Sequence, residues 1–318
     1  MKTLYDCMKD TSISQPDYQK IVDKIYGQVS GLENPGKIAT YIPELGNVNP
    51  DKFGVFVQTV GGECFYAGDS HEPFSIQSIA KVLSLVLAYK NLGEDLWSRV
   101  GVEPSGNPFN SLVQLEYDEG IPRNPLINAG AMVICDVLME LYDDPMAVLI
   151  NFIRDITDNR RIDIDLRIAN SEKQTGFRNK ALANFLKSFG AIKGNSEDVL
   201  DFYFKLCSVT MSCKELSETF LFLANNGCGF SGVEIISMRD AKRLNAIMMT
   251  CGFYDEAGDF SYRVGLPGKS GVGGGIIAVS PGNCSIGVWS PKLNEKGNSY
   301  LGIQFLERFS EEAGLSVF

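Results

Sequence analysis

The sequence predicts a fold of the α/β class, α+β in type. One antiparallel sheet is flanked by helices, and a second lobe is helical. Three observations predict it. Short apolar runs separated by glycine turns lie near both ends, at residues 53–68 and 261–289. Between them, from 128 to 226, apolar residues recur with the helical period. A last helical pattern, 301–313, closes the chain. The two strand regions are expected to join in one sheet, with the helical stretch as an insert between them. The expected divisions are 1–92 and 236–318 for the sheet-containing lobe and 93–235 for the helical lobe.

In order, residues 1–40 are amphipathic, with a helix expected over 17–29. Residues 53–60 and 63–68 flank Gly61-Gly62 and read as a hairpin. A helix follows from about Ser78, in which residues 82–89 are too apolar for a solvated surface. Four prolines and three glycines interrupt 94–126, so loop is expected there. Helices are expected at 129–142, 145–157, 180–189, 196–206 and 213–225, the last stopped by Asn225-Asn226-Gly227. Strands are expected at 261–264, 275–279 and 285–289.

Composition bounds the function. The chain has 318 residues, enough for a substantial core, with 44% hydrophobic and 21% charged residues. A net charge of −10 argues against nucleic acid or an acidic membrane as the main partner. No apolar run reaches the ~18 residues of a spanning helix. The first ten residues lack the apolar core of a signal peptide, so a cytoplasmic location is expected. The eight cysteines include Cys135 and Cys207 in apolar surroundings, and they are expected to be reduced structural thiols. No Cys/His cluster suggests a metal, and no cofactor is expected.

The chemistry concentrates in two motifs. Ser78 precedes Lys81 by three residues, a spacing that puts both on one helix face. A neutral lysine there can take the serine proton and make the hydroxyl a nucleophile. His71 is the one histidine, so serine–histidine machinery has little to draw on. Downstream, Lys269-Ser270-Gly271 runs through Val272 and three glycines into an apolar strand, a place where a ligand can approach the backbone. The pair echoes the serine–lysine and Lys-Thr/Ser-Gly elements of penicillin-binding proteins and β-lactamases.

Eight segments in order carry a more specific resemblance: 41–45, 73–81, 103–106, 124–131, 171–179, 200–204, 251–254 and 266–275. Over these the chain resembles the serine-dependent glutaminases, a β-lactamase/transpeptidase-like family, in its short bacterial form. The resemblance implies hydrolysis of L-glutamine to glutamate and ammonia. It makes Ser78 the nucleophile and Lys81 its base. Tyr254 would donate a proton to departing ammonia, and the backbone N–H groups of Ser78 and Val272 would hold the oxyanion. Glu172 would pair with the substrate α-ammonium. Tyr41, Asn128, Asn179 and Tyr203 would hydrogen-bond its head group. The family commonly forms dimers or tetramers, so a homodimer or homotetramer is implied.

Taken alone, these residues read more plainly. Glu172 reads as a solvated helix charge, Asn128 as an N-cap, Tyr203 as an interior aromatic and Asn179 as a turn residue. Tyr41 and Tyr254 read as half-buried tyrosines. Lys269 either lowers the Lys81 pKa as a second cation or orients Ser78. Bringing a lysine from about 10.4 to near neutrality costs ~4 kcal/mol, so burial or such a cation is required. The stretch 103–125 is expected to form a lid over the cleft. A penicillin-recognising hydrolase, a DD-peptidase and a non-enzymatic amino acid-binding module remain the competing functions.

Overall fold

The computed structural model describes residues 17–106 and 112–318. The part of the N-terminal amphipathic reading that covers 1–16 lies outside them. Asp17 caps α1 (Tyr18–Ser30) by accepting from the Lys20 N–H. Strands β1 (Gly54–Thr59) and β2 (Cys64–Gly68) form the expected antiparallel hairpin. The short β3 (Phe74–Ser75) leads to α2 (Ala80–Leu92).

The helical part holds α3 (Leu112–Tyr117), α4 (Asn128–Leu141), α5 (Pro145–Thr157), α6 (Leu166–Thr175), α7 (Phe177–Ser188) and α8 (Ser196–Cys207). Strand β4 (Asp163–Ile164) interrupts it, and β5 (Val209–Met211) leads to α9 (Cys213–Ala224) and α10 (Met238–Cys251). The chain ends with α11 (Ala257–Arg263), β6 (Gly268–Ser270), β7 (Gly275–Ser280), β8 (Cys284–Trp289) and α12 (Tyr300–Ala313).

The main sheet has the order β2-β1-β8-β7-β6 and is antiparallel throughout. Its central strands bury every residue because both faces are covered. The period of two separates the faces. Val55, Val57, Ile276 and Ala278 pack with α1 and α12, while Phe56, Ile277 and Val279 pack with the helical part. Helix α9 lies on that second face, where Ser217 accepts from the Gly287 N–H and donates to the Phe56 carbonyl.

A second sheet, β3-β5-β4, matters more for the site. It ties Phe74 and Ser75 to Met211 and Thr210. Ile76 N–H donates to Val209, and the Ser75 hydroxyl donates to the Cys207 carbonyl. The chain on either side of Ser78 is thereby fixed to the end of α8.

Three expectations change. The strand expected at 261–264 is not one: residues 261–263 end α11, and Val264 caps it. Tertiary packing instead buries Ala257 and Phe260, three apart, with Phe260 stacked on Phe253, and leaves Tyr262 exposed. The edge strand is Gly268–Ser270 instead. The loop expected at 94–126 contains a 3-10 segment, Gly93–Ser98, and α3. Helices α6 and α10 were not anticipated, because their polar and charged residues dilute the apolar period.

Candidate functional site

Ser78 sits in a 3-10 turn, Gln77–Ile79, just ahead of α2, and Lys81 is the second residue of α2. The pair therefore straddles a junction rather than one regular helix face. Gln77 has φ of +50°, a left-handed conformation that costs an L-residue ~1–3 kcal/mol unless its surroundings impose it. The hydrogen bonds of Ser75 and Ile76 supply that constraint on one side. On the other, the loop after β6 closes in. A methyl group on Gly271 or Gly273 would overlap the carbonyl oxygen of Ile76 or Ser75, so only glycine allows this approach. Gly273 is itself held by the indole N–H of Trp289 at 3.0 Å, and Trp289 stacks on Phe74. Val272, between the two glycines, is thus set beside Ser78 in one cavity.

Lys81 is fully buried. Its ammonium donates to Asn128 Oδ1 at 2.6 Å and to the Leu126 carbonyl at 3.4 Å. Burial lowers its pKa to about 8, while Cys207, Glu172 and Cys135 oppose that shift. Asn128 is not the N-cap that its position suggested. Ile127 occupies that place, and the Asn128 side chain instead bridges Lys81 to Asn179, donating to Asn179 Oδ1 at 2.9 Å.

Glu172 is buried on α6, and its Oε2 has no hydrogen-bond partner among the described residues. Burial pushes its carboxyl up to about 8, with Lys81 pulling it back down. The solvated-helix reading of Glu172 is therefore overturned. Tyr203 is buried beside it, its ring 5.7 Å from the Lys81 nitrogen. Tyr41 is 59% exposed at the rim of the same cavity.

Tyr254 begins a 3-10 turn, Tyr254–Glu256, with φ of +56°. It is buried rather than half-buried. Its hydroxyl hydrogen-bonds Ser78 and donates to the Ser270 carbonyl at 3.5 Å. Burial raises its pKa to about 12, and these two bonds oppose the shift. Lys269 is fully buried and donates to the Gly252 and Ser270 carbonyls at 2.8 and 2.6 Å. Its nitrogen lies 4.4 Å from the centre of the Tyr254 ring. Burial, and secondarily the Lys81 charge, hold its pKa well below the usual lysine range.

One cavity of about 380 Å³ is lined by Tyr41, Ser78, Asn128, Glu172, Asn179, Tyr203 and Val272. That volume suits a small ligand. Thr175, Gly176, Arg178 and Cys207 also line it and were not singled out from the sequence. Thr175, Gly176 and Arg178 fall inside the 171–179 motif, so the motif was the available signal. Cys207 gave none, since an apolar neighbourhood marks core and wall alike. None of the described residues of 103–125 lines this cavity. Residues 107–111 of that stretch lie outside the described ones, and Glu103 and Pro104 line a different cavity against α10. Seven cysteines are described, and all are free. Among the described residues, no helix is long and apolar enough to cross a membrane.

The family model described as Glutaminase matches residues 36–318. A glutaminase of Christiangramia forsetii is 54% identical over 303 residues, covering 95% of this chain and 100% of that protein. One from Saccharophagus degradans is 52% identical over 303 residues, covering 95% and 99%. Among solved structures, the probable glutaminase ybaS superposes with a TM-score of 0.89 at 34% identity, covering 95% of this chain and 98% of its own. The Bacillus subtilis glutaminase YbgJ, solved as a covalent complex with 5-oxo-L-norleucine, gives 0.82 at 31%, covering 95% and 98%.

Proposed function

The chain belongs to the glutaminase family of amidohydrolases, with its β-lactamase-like fold, and on that premise we propose that it hydrolyses the side-chain amide of L-glutamine through an ester on Ser78. The observation that carries this reading is Glu172. A buried carboxylate oxygen with no partner, in the same cavity as the serine, calls for a cationic ligand group. An amino acid's α-ammonium supplies one. Asn179, Asn128, Tyr203 and Tyr41 offer neutral hydrogen-bonding groups for the rest of the head group. The side-chain amide then reaches towards Ser78.

Ser78 Oγ attacks the amide carbon, and its proton passes to the neutral Lys81 amine. The backbone N–H groups of Ser78 and Val272 receive the oxyanion. As the carbon–nitrogen bond breaks, Tyr254 gives its proton to the leaving nitrogen and regains one from the Lys81 ammonium. Ammonia departs. Water then attacks the ester as Lys81 takes its proton, and Lys81 returns that proton to Ser78 Oγ as the carbon–oxygen bond breaks and glutamate leaves. The covalent complex of the Bacillus subtilis relative, formed with 6-diazo-5-oxo-L-norleucine, supports a nucleophile in such a site.

A substrate panel tests the reading. The purified protein should release ammonia from glutamine far faster than from asparagine and leave a penicillin chromophore intact. Ser78→Ala should remove that activity while glutamate still binds. Penicillin hydrolysis would favour the competing hydrolase. Glutamine binding without ammonia release would favour a binding module.

A further inference from the structure

Tyr254 has an unusual backbone for so demanding a position. Its φ of +56° is disfavoured for a tyrosine, and Asp255 after it breaks helical geometry. Such a conformation persists only where the surroundings over-determine it. The turn is tied to the loop between β8 and α12. Glu256, at the end of the same short turn, accepts from Asn294 Nδ2 with both carboxylate oxygens, each at 3.0 Å. It also accepts a very close hydrogen bond from Asn298 Nδ2. Asn298 is fully buried, and Asn294 is tied to it through its own carboxamide and backbone. A second tie joins Lys296 to Asp255 at 2.6 Å.

The loop so anchored reaches the site. A methyl group at Gly297 would lie 3.8 Å from the Tyr254 ring and 3.9 Å from the Val272 side chain. One face of this loop therefore borders both the phenol and the segment that carries the Val272 N–H. We propose that Glu256 is a positioning residue for Tyr254: it clamps the turn bearing the phenol to the 294–298 loop and so fixes the hydroxyl against Ser78. The inference rests on the reading of Tyr254 as the proton donor to the departing nitrogen. Glu256 does not line the cavity that holds Ser78, and its side-chain bonds go to Asn294 and Asn298. It acts by holding the phenol where proton transfer is short.

A mutant cycle tests it, using Glu256→Ala, Tyr254→Phe and the double variant, with Tm measured for each. A displacement near 1 Å at a reacting group costs up to about a hundredfold, so Glu256→Ala should lower kcat by tenfold or more and leave KM within about twofold. In the Tyr254→Phe background the same substitution should change kcat by less than about twofold, because the group it positions is gone. Glu256→Gln keeps the volume and one acceptor oxygen, so it should recover most of the kcat. If the alanine variant does not fold, Asn298→Ala, which removes one donor to Glu256, takes its place in the same cycle. An equal loss in both backgrounds, or no loss in either, overturns the clamp. Full activity in Tyr254→Phe alone overturns the proton-donor reading itself, and the clamp with it.

Discussion

Glu172→Gln separates binding from chemistry, because it is isosteric and removes only a charge. The carboxyl is displaced from 4.5 to about 8, by burial first. Its charge-assisted hydrogen bond to the α-ammonium contributes ~1.5–3 kcal/mol. At pH 7.4 the carboxyl must first ionise, which costs ~1 kcal/mol for a pKa near 8. The net loss is then ~0.5–2 kcal/mol, or about twofold to thirtyfold in kcat/KM. At pH 9 the ionisation cost vanishes and the loss grows to between about tenfold and 150-fold. The wild-type to variant ratio should therefore rise about fivefold between the two conditions, since Lys81 titrates in both proteins and cancels to first order. Stability without ligand should run the other way. The folded state keeps a proton that the unfolded state loses above 4.5, so the wild-type protein loses stability as pH rises from 4.5 to about 8, with a ceiling of ~5 kcal/mol. The glutamine variant has no such loss, and its Tm advantage should widen over that window. Coupled ammonia-release kinetics at the two pH values, with thermal melts from pH 5 to pH 9, measure both. A kcat/KM ratio within twofold at both pH values, or one that does not change with pH, would refute the pairing of Glu172 with the substrate.

The Lys81 pKa near 8 sets a second expectation. With a neutral amine as base, kcat should rise about tenfold per pH unit below that value and then level off. Lys81→Arg, which has no neutral form near neutrality, should lose both the rise and the activity; a profile that stays flat from pH 6 to pH 9 would remove lysine from the base role. Gly273→Ala places a methyl group against the Ser75 carbonyl and displaces the loop that carries Val272. Its kcat should fall by about a hundredfold with the protein still folded, and a loss under threefold would free the Val272 N–H from oxyanion binding.

Elements with strong local signals were legible from the residues alone. The β1–β2 hairpin follows from apolar runs around two glycines. Helix α2 follows from a run apolar on every side, and α9 from its helical period and the Asn-Asn-Gly stop. Ser78, the two lysines and Glu172 are legible as well, because they lie in contiguous motifs. Tertiary structure decided the rest. Whether 261–264 became strand or helix depended on Phe260 finding Phe253, a partner that no local pattern names. Asn128 looked like a cap because its neighbours in sequence start a helix, but Lys81 and Asn179, distant in sequence, claim its side chain. The perturbed Glu172 and Lys81 exist only because folding removes both from water, and desolvation is a property of the enclosed space, not of the residue. The hydrogen bonds from Asn294 and Asn298 to Glu256, two residues past Tyr254, likewise join positions about forty apart that no local pattern pairs.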